Sequence, residues 1–169
     1  MITLKKRAEK KLFSLWSGEL VAAILFLILW LFNIPRYDWS VDYLTTFPHI
    51  FAFCILEFIL FQGSYYWYLK WKKVKQRKRS SLTKAQLAIF RFLKIVNLIL
   101  LVIGIPVIIY QATFSKGLYW YLFLYAFALL EHINYYHIRL SYMNLEEIKE
   151  FIRQKGFRRS ILARELEDK

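Results

Sequence analysis

A single cysteine, Cys54, stands among 169 residues, which excludes an intrachain disulfide and any zinc site built from several thiolates. Glycine and proline are scarce, at five and three, so the chain has neither a collagen-like period nor the make-up of a low-complexity segment. Acidic residues number only 12 against 25 Lys and Arg. No His-Glu-x-x-His pair, nucleophile elbow or glycine-rich phosphate loop occurs, so the usual motifs of hydrolase and nucleotide chemistry are missing. What is plentiful is apolar: 58% of residues are hydrophobic and 20% are aromatic. A chain both greasy and basic predicts a polytopic membrane protein with its cations gathered on one side.

Four apolar runs reach the roughly 20 residues that a helix needs to cross a bilayer. They lie at Leu15–Ile34, Leu44–Leu69, Lys94–Gln111 and Leu118–Leu140. The first follows Lys5, Lys6, Arg7, Lys10 and Lys11, as a secretory signal would. It ends in Asn33-Ile34-Pro35-Arg36 without a small-residue cleavage pattern, so a retained anchor is the expectation. The predicted fold is all-α: an integral membrane four-helix bundle with short cytoplasmic amphipathic helices. Residues 1–14 form a basic arm, 15–140 the four-span domain, 70–93 a basic loop within it, and 141–169 an amphipathic tail.

Charge sets the orientation. With both termini in the cytoplasm, five basic residues lie in the arm, ten between Lys70 and Lys94, and eight from Arg139 onward. Only Arg36 and Lys116 are left outside. That asymmetry is what the positive-inside rule requires. Aromatic residues agree, with Tyr37, Trp39, Tyr43, Tyr119 and Trp120 at the outer interface and Trp16, Tyr65, Tyr66, Trp67, Tyr68 and Trp71 at the inner one. Lys70, Lys72, Lys73, Lys75, Arg77, Lys78 and Arg79 follow the second span directly. Such a run mimics a nucleic-acid patch, but its position predicts lipid contact, where each cation gains about 1 kcal/mol near anionic headgroups. The expected partners are anionic lipids, with a membrane-protein partner or a second copy of the chain also compatible, and no nucleic acid.

Thr83 and Gln86 have capping-box spacing and start a helix able to run unbroken into the third span. Arg91 and Lys94 within it would snorkel to the headgroups. In the tail, Asn144 and Glu147 give a looser start signal, Leu145, Ile148 and Ile152 recur at helical spacing, and Gly156 offers a stop. A second apolar set, Phe157, Ile161 and Leu162, follows among arginines. Gly104 and Pro106 predict a bend in the third span whose freed backbone groups need partners.

The stretch Ala128–Leu140, ALLEHINYYHIRL, begins like a membrane span and then fills with groups that lipid does not tolerate. At about 1.5 Å per residue, Glu131 and His132 lie roughly 10 Å from the inner edge. Glu19 and Asn97 fall at similar depth and Glu57 nearer the midplane. Helical phase puts Glu131, Asn134, Tyr135, Ile138, Ser141 and Tyr142 on one face, and Glu57, Phe61, Ser64 and Tyr68 on one face of the second span. A charge at that depth costs at least about 2.5–3.5 kcal/mol unless it is paired, protonated or hydrated. Glu19, Glu57, Asn97, Glu131, His132 and Asn134 are therefore predicted to form one intramembrane polar cluster, with Arg91, Lys94 and Arg139 near its mouth. The competing reading makes Asn97, Asn134, Gln62, Glu57 and Glu131 interhelical hydrogen bonds, worth about 0.6 kcal/mol on average.

His132 and His137 are five apart, off the spacing that puts two ligands on one helical face, so no metal site and no cofactor are predicted. His49 and His137 read as headgroup contacts. Cys54 reads as buried in apolar sequence, without a basic neighbour to activate it.

Gly63-Ser64-Tyr65-Tyr66-Trp67-Tyr68-Leu69-Lys70 and Glu131-His132-Ile133-Asn134-Tyr135-Tyr136-His137-Ile138-Arg139-Leu140-Ser141-Tyr142 resemble segments of small four-span membrane proteins of Gram-positive bacteria labelled as general stress proteins. The resemblance covers these two motifs and the span pattern. It implies a bacterial plasma membrane and carries no specific activity. The functional expectation is a non-enzymatic accessory or stress-linked protein that engages anionic lipid or a membrane partner through its basic face. The alternatives are a small proton-coupled transporter or channel using Glu57 and Glu131, and thirdly a lipid-acting membrane enzyme.

Overall fold

The computed structural model describes residues 2–36, 44–77, 80–114, 117–140 and 158–167. Among them are five helices and no strand: α1 (Ile2–Asn33), α2 (Phe47–Lys75), α3 (Lys84–Phe114), α4 (Leu118–Tyr136) and the short α5 (Ile161–Glu167). Three segments, Lys6–Asn33, Phe47–Lys75 and Lys84–Tyr110, are long and apolar enough to cross a membrane. The 19 residues of α4 span about 28 Å, close to the roughly 30 Å of a hydrocarbon core, but Tyr and Trp are frequent and its last turns are polar.

The central helix is α2, which packs against α1, α3 and α4. Stacked rings fix the α1–α2 register: Trp16 lies on Trp71 (5.3 Å between centroids) and Trp30 on Phe53 (4.2 Å), so the two helices are antiparallel. Gln62 meets Asn97 and Tyr66 meets Phe90, which makes α3 antiparallel to α2 as well. His49 reaches Gly117 and Gln62 reaches Tyr136, so α4 runs parallel to α2. The outward faces of α1 and α3 stay apolar and uncovered, through Val21, Leu25, Ile28 and Phe32 on one and Phe92, Ile95, Leu98 and Val102 on the other. Cys54, expected to be buried, is exposed on the outward side of α2.

Local chemistry explains most boundaries. The capping box is present: the Thr83 N–H donates to Gln86 Oε1 (3.1 Å) and the Gln86 N–H to Thr83 Oγ1 (3.3 Å). From it α3 runs through the predicted span without a break, around Pro106. The Tyr121 hydroxyl donates to the Gly104 carbonyl (2.9 Å) and the Tyr125 hydroxyl to that of Leu101, both on the N-terminal side of the proline. Basic Lys72, Lys73 and Lys75 sit in the last turn of α2, where the helix dipole favours cations. Gly117 adopts φ 91°, a left-handed conformation that glycine takes without strain, and this allows the tight α3–α4 connection.

Several boundaries differ from the sequence reading. The basic arm belongs to α1 from Ile2, continuous with the apolar run, and α2 extends through Lys75 into the predicted basic loop. The fourth helix stops at Tyr136 rather than Leu140. There the Asn134 side chain accepts the Leu140 N–H (2.9 Å), and the chain turns out to pair with Arg158–Ser160 through an isolated bridge between Ile138 and Arg159. Ile138 therefore leaves the helical face assigned to it. Tyr66, expected at the inner interface, is a core residue, and His49 is fully buried. The His49 Nε2–H donates to the Gly117 carbonyl (2.9 Å), and Nδ1 then accepts from the Thr46 hydroxyl (2.6 Å). His49 is an interhelical latch, not a headgroup contact. The expectations for Tyr37, Trp39, Tyr43, Lys116, Ser141, Tyr142, Asn144, Leu145, Glu147, Ile148, Ile152, Gly156 and Phe157 fall outside the described residues.

Candidate functional site at the basic end of the bundle

The six residues predicted to form one cluster are divided by the α2–α4 contact into three places. Consecutive positions on the two helices make the division. Gly63 lies against the Tyr135 ring, and Gln62 bonds to Tyr136, so Tyr135 and Tyr136 look to opposite sides.

On the α1 side, the Tyr135 hydroxyl donates to the Glu19 carboxylate. Glu131 stands close enough for the two acidic groups to repel, and its Oε2 accepts from Asn134 Nδ2 (3.2 Å). Glu19, Glu131 and Asn134 thus share one neighbourhood, as predicted, organised by a tyrosine that sequence reasoning treated only as a face neighbour.

On the α3 side, Gln62 and Asn97 form a reciprocal amide pair, Gln62 Nε2 to Asn97 Oδ1 (2.9 Å) and Asn97 Nδ2 to Gln62 Oε1 (2.8 Å). The Tyr136 hydroxyl adds a third bond to Gln62 Oε1 (2.7 Å). Three helices are tied by three buried bonds whose donors and acceptors match. These are interhelical hydrogen bonds of the kind the competing reading describes. His132 packs beside it, buried, with its ring 5.2 Å from that of Tyr136 and its Nδ1 without a partner.

Glu57 joins neither group. It is 7% exposed, and both carboxylate oxygens lack a hydrogen-bond partner. The predicted meeting of the Glu57 and Glu131 faces does not occur through hydrogen bonds, since Glu131 bonds to Asn134 and Glu57 to nothing. Phe61, assigned to the same face as Glu57, is exposed.

Below these groups α5 folds back over the end of the bundle. Ser160 caps it, accepting the Ala163 N–H at Oγ (2.9 Å) while its own hydroxyl donates to the Tyr135 carbonyl. The Arg139 N–H donates to the Arg158 carbonyl (2.8 Å), the Ser160 N–H to the His137 carbonyl (3.0 Å), and Arg91 Nη2 to the Leu166 carbonyl (2.8 Å). Lys70 Nζ pairs with Glu165 Oε1 (2.9 Å) and also donates to the Tyr66 hydroxyl (3.1 Å). Lys70 was expected at the lipid surface; it is buried, because its ammonium is the anchor for the tail helix. Nothing in local sequence links residues 95 apart. The available signal was Ser160 ahead of Ile161 and Leu162, a helix start with an apolar pair to bury.

Between α1, α2, α4 and α5 these elements leave a crevice of about 90 Å³, with Lys11, Glu19, Asn134, Tyr135, Arg139 and Ser160 on its walls. Beside it runs an aromatic collar. Trp16 and Phe13 pack on Trp71, Tyr68 packs on both tryptophans, and Lys72 and Lys75 hold their ammonium groups over Tyr68 (5.7 Å) and Trp71 (4.7 Å). Lys72, Lys75 and Arg77 are exposed, whereas Lys73 donates to the Ser81 carbonyl (2.7 Å) and holds the loop. Lys78 and Arg79 lie outside the described residues. No group of three or more His, Cys, Asp or Glu suited to a metal ion occurs among the described residues.

Comparison of the chain with protein-family models, with curated proteins and with solved structures found no match.

Proposed function

We propose that the protein is a non-enzymatic, four-span membrane protein of a bacterial plasma membrane, with both termini cytoplasmic, whose basic inner face holds anionic lipid in an accessory or stress-linked role. The observation that carries this reading is the collar: aromatic rings stacked at the basic end of α1 and α2, with exposed ammonium groups seated on them. Rings of this kind favour headgroup depth, and cations beside them gain from an anionic leaflet. The bacterial membrane follows from the resemblance of the two motifs. The alternating helix directions, the length of α4 and the cation asymmetry support this topology. Transport through Glu57 and Glu131 loses support because these carboxylates share no partner.

Topology is tested in a Cys54→Ala background. A cysteine at Ser40 should react with an impermeant maleimide added to intact cells, and one at Ser80 only after the membrane is opened. Labelling at Ser80 from outside would overturn the orientation.

Lipid selection is tested by reconstitution with brominated phosphatidylglycerol in phosphatidylcholine, read by tryptophan quenching. Lys72→Gln, Lys75→Gln and Arg77→Asn together should lower the preference for the anionic lipid about tenfold or more, at about 1 kcal/mol per cation. Asparagine is chosen because Arg77 has φ 60°, which Asn tolerates. Added salt should shrink the difference, since exposed charges are screened within about 8–10 Å at physiological ionic strength. An unchanged preference in the triple variant sinks the reading.

A further inference from the structure

The crevice differs from the collar in carrying both signs of charge. Its lining brings together Glu19, with Glu131 close by, and the cations Lys11 and Arg139. An anion alone would meet the cations and be repelled by the carboxylates. A metal ion would meet too few ligands, since the described residues offer no group of three. The arrangement suits a ligand that is itself dipolar.

Its walls are also built rather than incidental. Tyr135 and Ser160 are buried, the first fixing the Glu19 carboxylate and the second tied to the Tyr135 carbonyl. The volume of about 90 Å³ is several times what one water needs, enough for a short ammonium arm. Two helical turns beyond Glu19, Phe26 packs on Phe127 across α1 and α4 (5.7 Å), and past that contact a separate apolar pocket is lined by Trp30, Phe53, Trp120 and Phe123. The α1–α4 seam passes from charged to apolar along its length, as an amphiphile does.

We propose that this crevice is a headgroup site for an amine-bearing phospholipid, with the ammonium beside Glu19 and Asn134, the phosphate at the mouth against Lys11 and Arg139, and an acyl chain along the α1–α4 seam. Among the described residues, the ammonium would join the Tyr135 hydroxyl and the Asn134 amide as a donor to these two neighbouring carboxylates. The assignment rests on the membrane reading above, in which the basic end faces the inner leaflet. It adds a selectivity that the collar cannot supply, because exposed cations do not distinguish an amine headgroup from a choline.

The test uses the full chain in detergent with short-chain phosphatidylethanolamine, its mono-, di- and trimethylated forms, and phosphatidylglycerol, all with identical chains. Native mass spectrometry gives occupancy and thermal unfolding gives the linked stabilisation. The primary amine should bind at least tenfold tighter than the trimethylated headgroup, with affinity falling stepwise as N–H donors are replaced. Glu19→Gln should abolish that order while keeping the fold, since the amide oxygen still accepts from Tyr135. Lys11→Gln with Arg139→Gln should weaken every phospholipid alike. Soluble phosphoethanolamine should compete weakly; competition as strong as the lipid's would overturn the acyl seam. Equal binding across the methylation series overturns the headgroup site and needs no variant to show it. So does an amine preference that survives Glu19→Gln. A preference for phosphatidylglycerol untouched by Glu19→Gln but lost with the collar cations would overturn the crevice and leave the collar standing.

Discussion

Gly63→Ala should destabilise the bundle by about 1–3 kcal/mol, the usual range for overpacking a tight contact. The sign is the informative part, because alanine in place of a mid-helix glycine ordinarily stabilises by roughly 0.5–1 kcal/mol. At Gly63 the added methyl would lie on the Tyr135 ring. The ring has little room to yield: Tyr135 is 5% exposed and its hydroxyl is committed to Glu19. Relief has to come from moving α4 away from α2, which stretches the adjoining Gln62–Tyr136 bond. Gly18→Ala is the internal control, since a methyl there meets nothing within 4 Å, and it should be neutral or slightly stabilising. Thermal unfolding of the two single variants gives the comparison. A double-mutant cycle of Gly63→Ala with Tyr135→Ala should show a coupling of about 1 kcal/mol or more, as for residues in direct contact. Additive effects would remove Tyr135 as the cause.

Gly63 and Tyr135 also show where the sequence could be read and where it could not. Helix type, approximate span positions and the Thr83 capping box were legible, because each depends on residues a few positions apart: long apolar runs for α1 to α3, and a Thr-x-x-Gln pattern for the α3 start. Relative level along the bundle was legible as well: rise per residue puts Glu19, Asn97 and Glu131 at comparable heights, and Tyr135 reaches Glu19 while Tyr136 and Asn97 meet at Gln62. Azimuth was not. One hundred degrees separate Tyr135 from Tyr136, and only the packing of α4 against Gln62 and Gly63 decides that they serve opposite sides. Treating depth alone as proximity merged two neighbourhoods and drew Glu57 toward groups it does not touch.

The end of α4 escaped for a related reason. Periodicity continues through Ile138, but a side chain, Asn134, takes the Leu140 N–H and diverts the chain. Short polar side chains compete with helical backbone bonding in this way, and the competition is settled by what the diverted segment can pair with. Here it pairs with Arg158–Ser160, distant in sequence. Basic residues carried a further ambiguity. Charge counts group Lys70 with its basic neighbours, yet cannot say which lysine turns inward to meet an acid 95 positions later.

Glu165→Ala should undock the tail helix. The Lys70 and Glu165 side chains are 7% and 19% exposed, and removing one partner of such a pair leaves the other charge in a poorly hydrated place, at a cost of about 3–5 kcal/mol where burial is complete. Lys70 also loses its link to α5 and, among the described residues, keeps its bond to the Tyr66 hydroxyl. The seven residues of α5 cannot hold a helix by propensity alone, so the loss falls on docking rather than on the four long helices. Amide exchange at Ile161–Glu167 should accelerate by about a hundredfold or more, and trypsin should cut sooner after Arg158, Arg159 and Arg164, while the main unfolding transition shifts little. Lys70→Met combined with Glu165→Leu should restore protection, because an apolar pair of similar volume replaces a buried ion pair without leaving a charge behind. Restored docking in that double variant separates the cost of an orphaned ammonium from a simple loss of contact. Unchanged exchange in Glu165→Ala would mean that Ser160 and the Arg91 bond to Leu166 hold the tail by themselves, and that the buried lysine is not its anchor.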